Sequence, residues 1–86
     1  MKKVEIFTRD MCAFCEQAKN LLKQKNIPFV EYNIWKDETA AADMKKRVPQ
    51  ARTVPQIFIG GTAIGGYTDL AKLNDSGDLA KMVADK

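Results

Sequence analysis

The sequence contains no histidine, and only two of its 86 residues are cysteines. A structural zinc site needs about four ligands, so this supply argues against a zinc site within one chain, and no metal is expected. The two cysteines, Cys12 and Cys15, are separated by only two residues. A structural disulfide between them would close so small a loop that it adds only about 2 kcal/mol of stability by loop entropy.

Long apolar runs, internal repeats and low-complexity segments are also missing from the sequence. No run approaches the length of about 20 apolar residues that a transmembrane helix needs, and the N-terminus shows no apolar signal-peptide region. We therefore expect no membrane partner and a cytoplasmic location, where paired cysteines are more often catalytic than structural. Residues 1–86 leave room for one hydrophobic core, so a single domain is expected.

The sequence has no large excess of charge of either sign. It contains 14 lysines and arginines and 11 acidic residues, which gives a net charge of +3. The only tight basic run is 45–47. Nucleic-acid binding favours a basic stripe with interleaved aromatic residues, so no nucleic-acid partner is expected. A mild positive excess near a site suits a small anionic substrate better.

What the sequence does contain is a Cys-x-x-Cys motif between a predicted strand, 3–8, and a predicted helix, 13–25. Cys12 falls at the helix N-cap, where free backbone N–H groups and the positive end of the helix dipole stabilise a thiolate. The pKa of such a thiol lies between about 3.5 and 7.5 instead of about 8.5. Cys15 lies one turn further on the same side. The motif is typical of a thioredoxin-like redox site, although two unrelated core thiols remain an alternative.

The remaining pattern predicts an α/β fold with a four-stranded mixed sheet flanked by helices on both faces. The strand–helix–strand start implies a right-handed parallel crossover. The predicted strands are 3–8, 29–34, 56–59 and 62–64, the last an edge strand reached by the hairpin turn at Gly60 and Gly61. The predicted later helices run from Asp37 or Thr39 to about Val48, from Thr68 or Asp69 to a break at 74–77, and through Leu79, Met82 and Val83. The predicted buried stripe of the second helix is Ala41, Met44 and Val48.

Three further stretches are candidates for chemistry, each with an ordinary structural alternative. Pro55 directly precedes a predicted strand, where spacing alone favours a trans peptide bond. The turn 65–69 leads into a helix N-terminus, which binds a carboxylate or is simply a capped helix. Arg9, Arg47 and Arg52 are anion-binding candidates or solvated surface charges, and Arg52 is favoured because it adjoins Thr53. Tyr32 and the lone tryptophan, Trp35, are predicted to be packing residues.

Taken together, the motifs in 8–15, 53–59 and 65–70 resemble the glutaredoxin family over nearly the whole chain. They are Thr8-Arg9-x-x-Cys12-x-x-Cys15, Thr53-Val54-Pro55-Gln56-Ile57-Phe58-Ile59 and Gly65-Gly66-x-x-Asp69-Leu70. The chain is most similar to small dithiol members of the bacterial type. The resemblance implies a thioredoxin-like fold, a cis peptide bond at Val54-Pro55 and glutathione as co-substrate. It implies no resident metal.

The resemblance also implies a role for individual residues. Cys12 would be the nucleophile and Cys15 the resolving thiol. Thr53 and Val54 would pair with the cysteinyl part of glutathione, Thr68 and Asp69 would hold its γ-glutamyl end, and Arg9 with Arg52 would bind its glycine carboxylate. The full implied glutathione-binding set is Arg9, Phe14, Arg52, Thr53, Val54, Pro55, Gly66, Thr68 and Asp69.

The implied activity is reduction of protein disulfides and of glutathione mixed disulfides by a monomer. The implied partners are glutathione and disulfide-bonded or glutathionylated proteins, with ribonucleotide reductase as one candidate. Two positions depart from the family pattern: Ala13-Phe14 replaces the usual Pro-Tyr, and Tyr67 replaces a position that often carries Cys or Ser. The alternatives are a thioredoxin-reductase-linked redoxin, an iron–sulfur cluster carrier using Cys12 with glutathione, and a protein-binding module without thiol turnover.

Overall fold

Four strands and four helices are present in the computed structural model, which describes residues 1–84. In chain order they are β1 (Val4–Thr8), α1 (Ala13–Gln24), β2 (Val30–Asn33), α2 (Glu38–Arg47), β3 (Gln56–Ile59), β4 (Thr62–Gly65), α3 (Tyr67–Ser76) and α4 (Asp78–Val83). None of these helices is long and apolar enough to cross a bilayer within residues 1–84.

The sheet has the strand order β2-β1-β3-β4, so the predicted four-stranded mixed sheet is confirmed. β1 runs parallel to β2 and antiparallel to β3, and β4 returns antiparallel to β3 as an edge strand. All five residues of β1 are buried. A central strand that is covered on both faces places apolar residues on both of them, as Ile6 and Phe7 do here, whereas the buried polar residues Glu5 and Thr8 are hydrogen-bonded.

Helices cover both faces of the sheet, as the sequence predicts. On one face α1, α3 and α4 pack over β1 and β3; the buried residues of this cluster are Val4, Ile6, Ala18, Leu22, Ile27, Ile57, Ile59, Leu70, Leu79 and Val83. On the other face α2 covers Phe7 and Phe58, together with Ala40 and Val48. The two clusters use alternate residues of β1, since neighbouring side chains of a strand point to opposite faces.

Helix α2 begins after Asp37, which is its N-cap and accepts hydrogen bonds from the backbone N–H groups of Thr39 and Ala40 at 2.9 and 3.2 Å. This confirms one of the two predicted caps. The predicted stripe is wrong at one position, because Ala40 is buried with Val48, whereas Ala41 is only half-buried. The face of α2 that packs on the sheet therefore consists of Ala40, Met44 and Val48, which are four residues apart.

Helix α3 begins earlier than predicted. Its N-cap is Gly66, and the expected caps Thr68 and Asp69 lie inside its first turn. Asp69 still serves the helix start, because its carboxylate accepts a hydrogen bond from the Gly66 backbone N–H at 3.1 Å. The helix continues through 74–76, and the predicted break occurs at Gly77, which has a left-handed φ of 83°.

Candidate active site

Cys12 occupies the N-cap of α1, as the sequence predicts. The chain leaves β1 and turns through Met11, whose φ of 54° is left-handed, before Cys12 returns to an extended conformation. The Cys12 sulfur accepts a hydrogen bond from the backbone N–H of Cys15 at 3.1 Å. The sulfur thus lies at the positive end of α1, with one of the free N–H groups of the helix start directed at it.

The two cysteines are bonded to each other as a disulfide, with their Cα atoms 5.2 Å apart. Cys15 is fully buried, whereas 9% of Cys12 is exposed. A reagent that arrives from solvent therefore reaches the Cys12 sulfur first. This difference in exposure agrees with the predicted order, in which Cys12 attacks and Cys15 resolves.

A cis peptide bond joins Val54 to Pro55, which confirms the expectation from the family resemblance. The carbonyl oxygen of Val54 lies 3.8 Å from the Cys12 sulfur. The carbonyl oxygen of Thr53 accepts a hydrogen bond from the side-chain amide of Gln56 at 2.8 Å. The segment between α2 and β3 therefore forms one side of the space around Cys12.

A groove of about 940 Å³ opens beside the Cys12 sulfur. It is lined by the loop after β1 and the start of α1, by the loop after β2, by the segment before β3 and by the start of α3. All nine residues of the predicted glutathione-binding set line it: Arg9, Phe14, Arg52, Thr53, Val54, Pro55, Gly66, Thr68 and Asp69. The fold thus brings together three stretches that are far apart in the sequence.

Charged groups of both signs line this groove. Arg9 and Arg52 contribute guanidinium groups, and Asp69 contributes a carboxylate. Arg47, the third arginine considered as a candidate, is not among the lining residues. Its guanidinium donates hydrogen bonds to both carboxylate oxygens of Glu5 at 2.9 and 3.1 Å, and this pairing raises the pKa of Arg47.

Two aromatic residues of the groove were not predicted as site residues. Trp35, predicted to be a packing residue, is 57% exposed, and the Arg9 guanidinium lies 5.1 Å from the centre of its ring. Tyr67 stacks on Phe14 with ring centres 6.1 Å apart. Tyr32, in contrast, packs against Phe7 with ring centres 5.0 Å apart, as expected.

One signal in the sequence could have located Trp35. It follows β2 closely, just as Cys12 follows β1. Because the carboxyl ends of parallel strands lie at the same edge of a sheet, residues that follow two neighbouring parallel strands are brought together. No comparable signal marks the contact between Phe14 and Tyr67, which depends on how α3 packs against α1.

Within residues 1–84, no group of three or more Cys, Asp or Glu side chains is arranged to hold a metal ion.

Comparison with known proteins decides the family. The family model described as Glutaredoxin matches residues 4–64. The chain belongs to the glutaredoxin family. Among curated glutaredoxins, a probable glutaredoxin of Synechocystis sp. is 44% identical over 82 residues, which covers 95% of this chain and 75% of that protein. Glutaredoxin 3 of Escherichia coli is 42% identical over 79 residues, covering 92% of this chain and 94% of the relative.

Solved glutaredoxin structures share the same fold. The crystal structure of the buckwheat glutaredoxin–glutathione complex superposes with a TM-score of 0.83 at 26% sequence identity, covering 95% of this chain and 76% of that one. The four-stranded mixed sheet with flanking helices is thus the thioredoxin-like fold of the glutaredoxins.

Proposed function

We propose that this glutaredoxin is a glutathione-dependent thiol-disulfide oxidoreductase that reduces protein disulfides and glutathione mixed disulfides. One observation carries the proposal: the sulfur of Cys12 sits at the N-cap of α1 and borders a groove, while Cys15 is fully buried behind it. This arrangement offers one accessible nucleophile and one protected resolving thiol.

The helix start supports a thiolate at Cys12 in the reduced protein. A negatively charged Cys12 sulfur accepts a hydrogen bond from the backbone N–H of Cys15 and interacts favourably with the dipole of α1. The thiolate, not the thiol, is the nucleophile in thiol–disulfide exchange. We therefore assign the attacking role to Cys12.

The charges of the groove match those of glutathione, which carries a carboxylate at its glycine end and a carboxylate and an ammonium group at its γ-glutamyl end. We propose that Arg9 and Arg52 bind the glycine carboxylate. At the γ-glutamyl end, the Asp69 carboxylate would accept a hydrogen bond from the ammonium group. Thr68 and the backbone N–H groups at the start of α3 would bind the γ-glutamyl carboxylate. The glutathione complex of the buckwheat relative supports a glutathione site in this fold.

The middle of glutathione would lie along the segment before β3. We propose that backbone groups of Thr53 and Val54 pair with its cysteinyl part, since an extended peptide binds exposed backbone groups in this way. Phe14, Pro55 and Gly66 would form the walls around it. The cysteinyl sulfur would then lie next to Cys12.

In the first route, the Cys12 thiolate attacks the glutathione sulfur of a glutathionylated protein. The bond between glutathione and the protein breaks, the protein leaves as a thiolate that takes up a proton, and Cys12 retains the glutathione as a mixed disulfide. A second glutathione, as its thiolate, attacks the bound glutathione sulfur. Glutathione disulfide leaves and the Cys12 thiolate is restored.

In the second route, Cys12 attacks one sulfur of a protein disulfide and forms a mixed disulfide with that protein. Cys15, after losing its proton, attacks the Cys12 sulfur, so the protein leaves as a dithiol and the disulfide between Cys12 and Cys15 forms. Two glutathione molecules then reduce this disulfide in succession, through a mixed disulfide with Cys12. The rates depend on the thiolate fraction and on the acidity of the leaving thiol.

Substitution of each cysteine separates the two routes. We expect Cys12→Ser to abolish both activities, because it removes the nucleophile. Cys15→Ser should retain removal of glutathione from a glutathionylated peptide and lose reduction of a protein disulfide. Both activities are measured by coupling glutathione disulfide formation to glutathione reductase, for the wild type and both variants.

Equal loss from both substitutions in the glutathionylated-peptide assay would contradict these roles. If the wild type turned over with thioredoxin reductase but not with glutathione, glutathione would not be its reductant, and the protein would be a thioredoxin-reductase-linked redoxin. We further propose that residues 1–86 act as one monomeric domain in the cytoplasm. The protein substrates are disulfide-bonded or glutathionylated proteins, with ribonucleotide reductase as one candidate.

A further inference from the structure

Within residues 1–84, two arginines lie on aromatic rings, and only one of them, Arg47, also donates hydrogen bonds to carboxylates. The guanidinium of Arg47 lies 3.9 Å from the ring centre of Phe58, and its N–H groups donate to Glu5 and also reach Asp43 at 3.4 Å. The guanidinium of Arg9 lies 5.1 Å from the ring centre of Trp35. Within residues 1–84, Arg9 forms no ion pair with a carboxylate.

This difference matters because a guanidinium stacks through its flat face and donates through its edge. An arginine that is held by a carboxylate is fixed in place but has used its donors. An arginine that is held by a ring is restricted in position and keeps five N–H donors for a ligand. Arg9, which lines the groove beside Cys12, is in the second situation.

The side chain of Asn33 links the backbone of Trp35 to Asp10, the residue that follows Arg9. Its amide N–H donates to the Asp10 carboxylate at 2.8 Å, and its amide oxygen accepts from the backbone N–H of Trp35 at 2.9 Å. Lys36 also reaches Asp10, at 3.6 Å. The loop after β2 is therefore tied to the loop after β1, and Asp10 is occupied by these partners rather than by Arg9.

We propose that Trp35 is a positioning residue, which holds the Arg9 guanidinium with its donors free for the glycine carboxylate of glutathione. This inference rests on the proposed function. Trp35 does not act on the reacting sulfurs; it reduces the side-chain freedom that Arg9 would otherwise lose when glutathione binds. The exposed stack strengthens binding by a factor of about two to five. Because it acts equally in the ground and transition states, it affects KM and not kcat.

The test is steady-state kinetics with a glutathionylated peptide, glutathione and glutathione reductase. Trp35→Leu removes the aromatic face and keeps apolar bulk, so KM for the peptide should rise about two- to fivefold with kcat unchanged. Trp35→Phe should restore most of the loss. In Arg9→Gln the guanidinium that Trp35 holds is absent. The double variant Arg9→Gln/Trp35→Leu should therefore have the same KM as Arg9→Gln alone. Val30→Thr is the matched control, because Val30 is also exposed but is not a groove residue.

Two further measurements separate positioning from a general structural effect. With a peptide that carries glutathione amide in place of glutathione, the glycine carboxylate is replaced by an uncharged carboxamide, and Trp35→Leu should leave KM unchanged. Since Trp35 is the single tryptophan of the chain, its fluorescence reports the stack directly. Its emission should change in Arg9→Gln relative to the wild type, whether or not the protein turns over.

The outcomes distinguish this inference from the proposed function. A wild type without glutathione-dependent turnover refutes the proposed function. A wild type that turns over, with KM of Trp35→Leu unchanged, refutes the inference alone. Additive effects in the double variant, or an equal rise in KM for the glutathione-amide peptide, would also show that Trp35 does not act through Arg9.

Discussion

At the scale of single residues, Gly65 controls the position of the Asp69 carboxylate. Gly65 has a φ of +115°, which disfavours any residue with a side chain, and a Cβ at this position would overlap the carboxylate of Asp69. We expect Gly65→Ala to displace Asp69 from the Gly66 N–H and to cost about 1–3 kcal/mol of stability from backbone strain. Because Asp69 is proposed to hold glutathione, KM for a glutathionylated peptide should also rise. Urea unfolding and steady-state kinetics measure the two effects.

Gly61 provides the matched control for this substitution. It lies in the turn between β3 and β4 with a φ of +84°, but a Cβ there would meet nothing within 4 Å. Gly61→Ala should therefore lower stability through strain alone and leave KM unchanged. The same change in KM for both variants would mean that Asp69 is not the cause.

The site residues that the sequence could identify are those whose chemistry or motif marks them. The spacing of Cys12 and Cys15 indicates the redox pair without any knowledge of the fold. Arg47 and Arg52 are indistinguishable in type, and only the fold brings Glu5, 42 positions earlier in the chain, against Arg47. Trp35 lies in a turn, where no periodicity separates a packing residue from an exposed one.

At the scale of elements, the start of α2 depends on the side chain of Asp37. Its carboxylate accepts hydrogen bonds from the backbone N–H groups of Thr39 and Ala40, which have no partner inside the helix. We expect Asp37→Ala to lower the free energy of unfolding by about 1 kcal/mol, measured by urea unfolding. Asp37→Asn is the control, since asparagine caps a helix about as well. If Asp37→Asn lost as much stability as Asp37→Ala, charge rather than capping would explain the effect.

The order of strands and helices could be predicted from the sequence, but two of its details could not. Thr68 and Asp69 are both common N-cap types, yet the helix begins at Tyr67 because Gly66 has the extended N-cap conformation and Asp69 reaches back to it. Ala40 and Ala41 are identical in type. Which of them is buried depends on the rotation of α2 over Phe7 and Phe58, and that is a property of packing rather than of local sequence.

At the scale of the whole molecule, one carboxylate joins three elements on the α2 face of the sheet. Glu5 lies on the central strand β1, and only 9% of it is exposed. It accepts hydrogen bonds from Arg47 on α2 and, at 3.2 Å, from the hydroxyl of Tyr32 on β2. The hydrogen bonds from Arg47 hold the pKa of the Glu5 carboxyl below its ordinary value of 4.5, against the opposing effect of burial.

This lowered pKa predicts how folding depends on pH. Because the folded protein favours ionised Glu5, the stabilisation is complete above the pKa of the unfolded chain and is lost as pH falls through the lower pKa of the folded protein. We therefore expect Glu5→Gln to lose less stability than the wild type between about pH 5 and pH 3, measured by urea unfolding across that range. Parallel curves for Glu5→Gln and the wild type would show that the carboxylate of Glu5 does not link the three elements in solution.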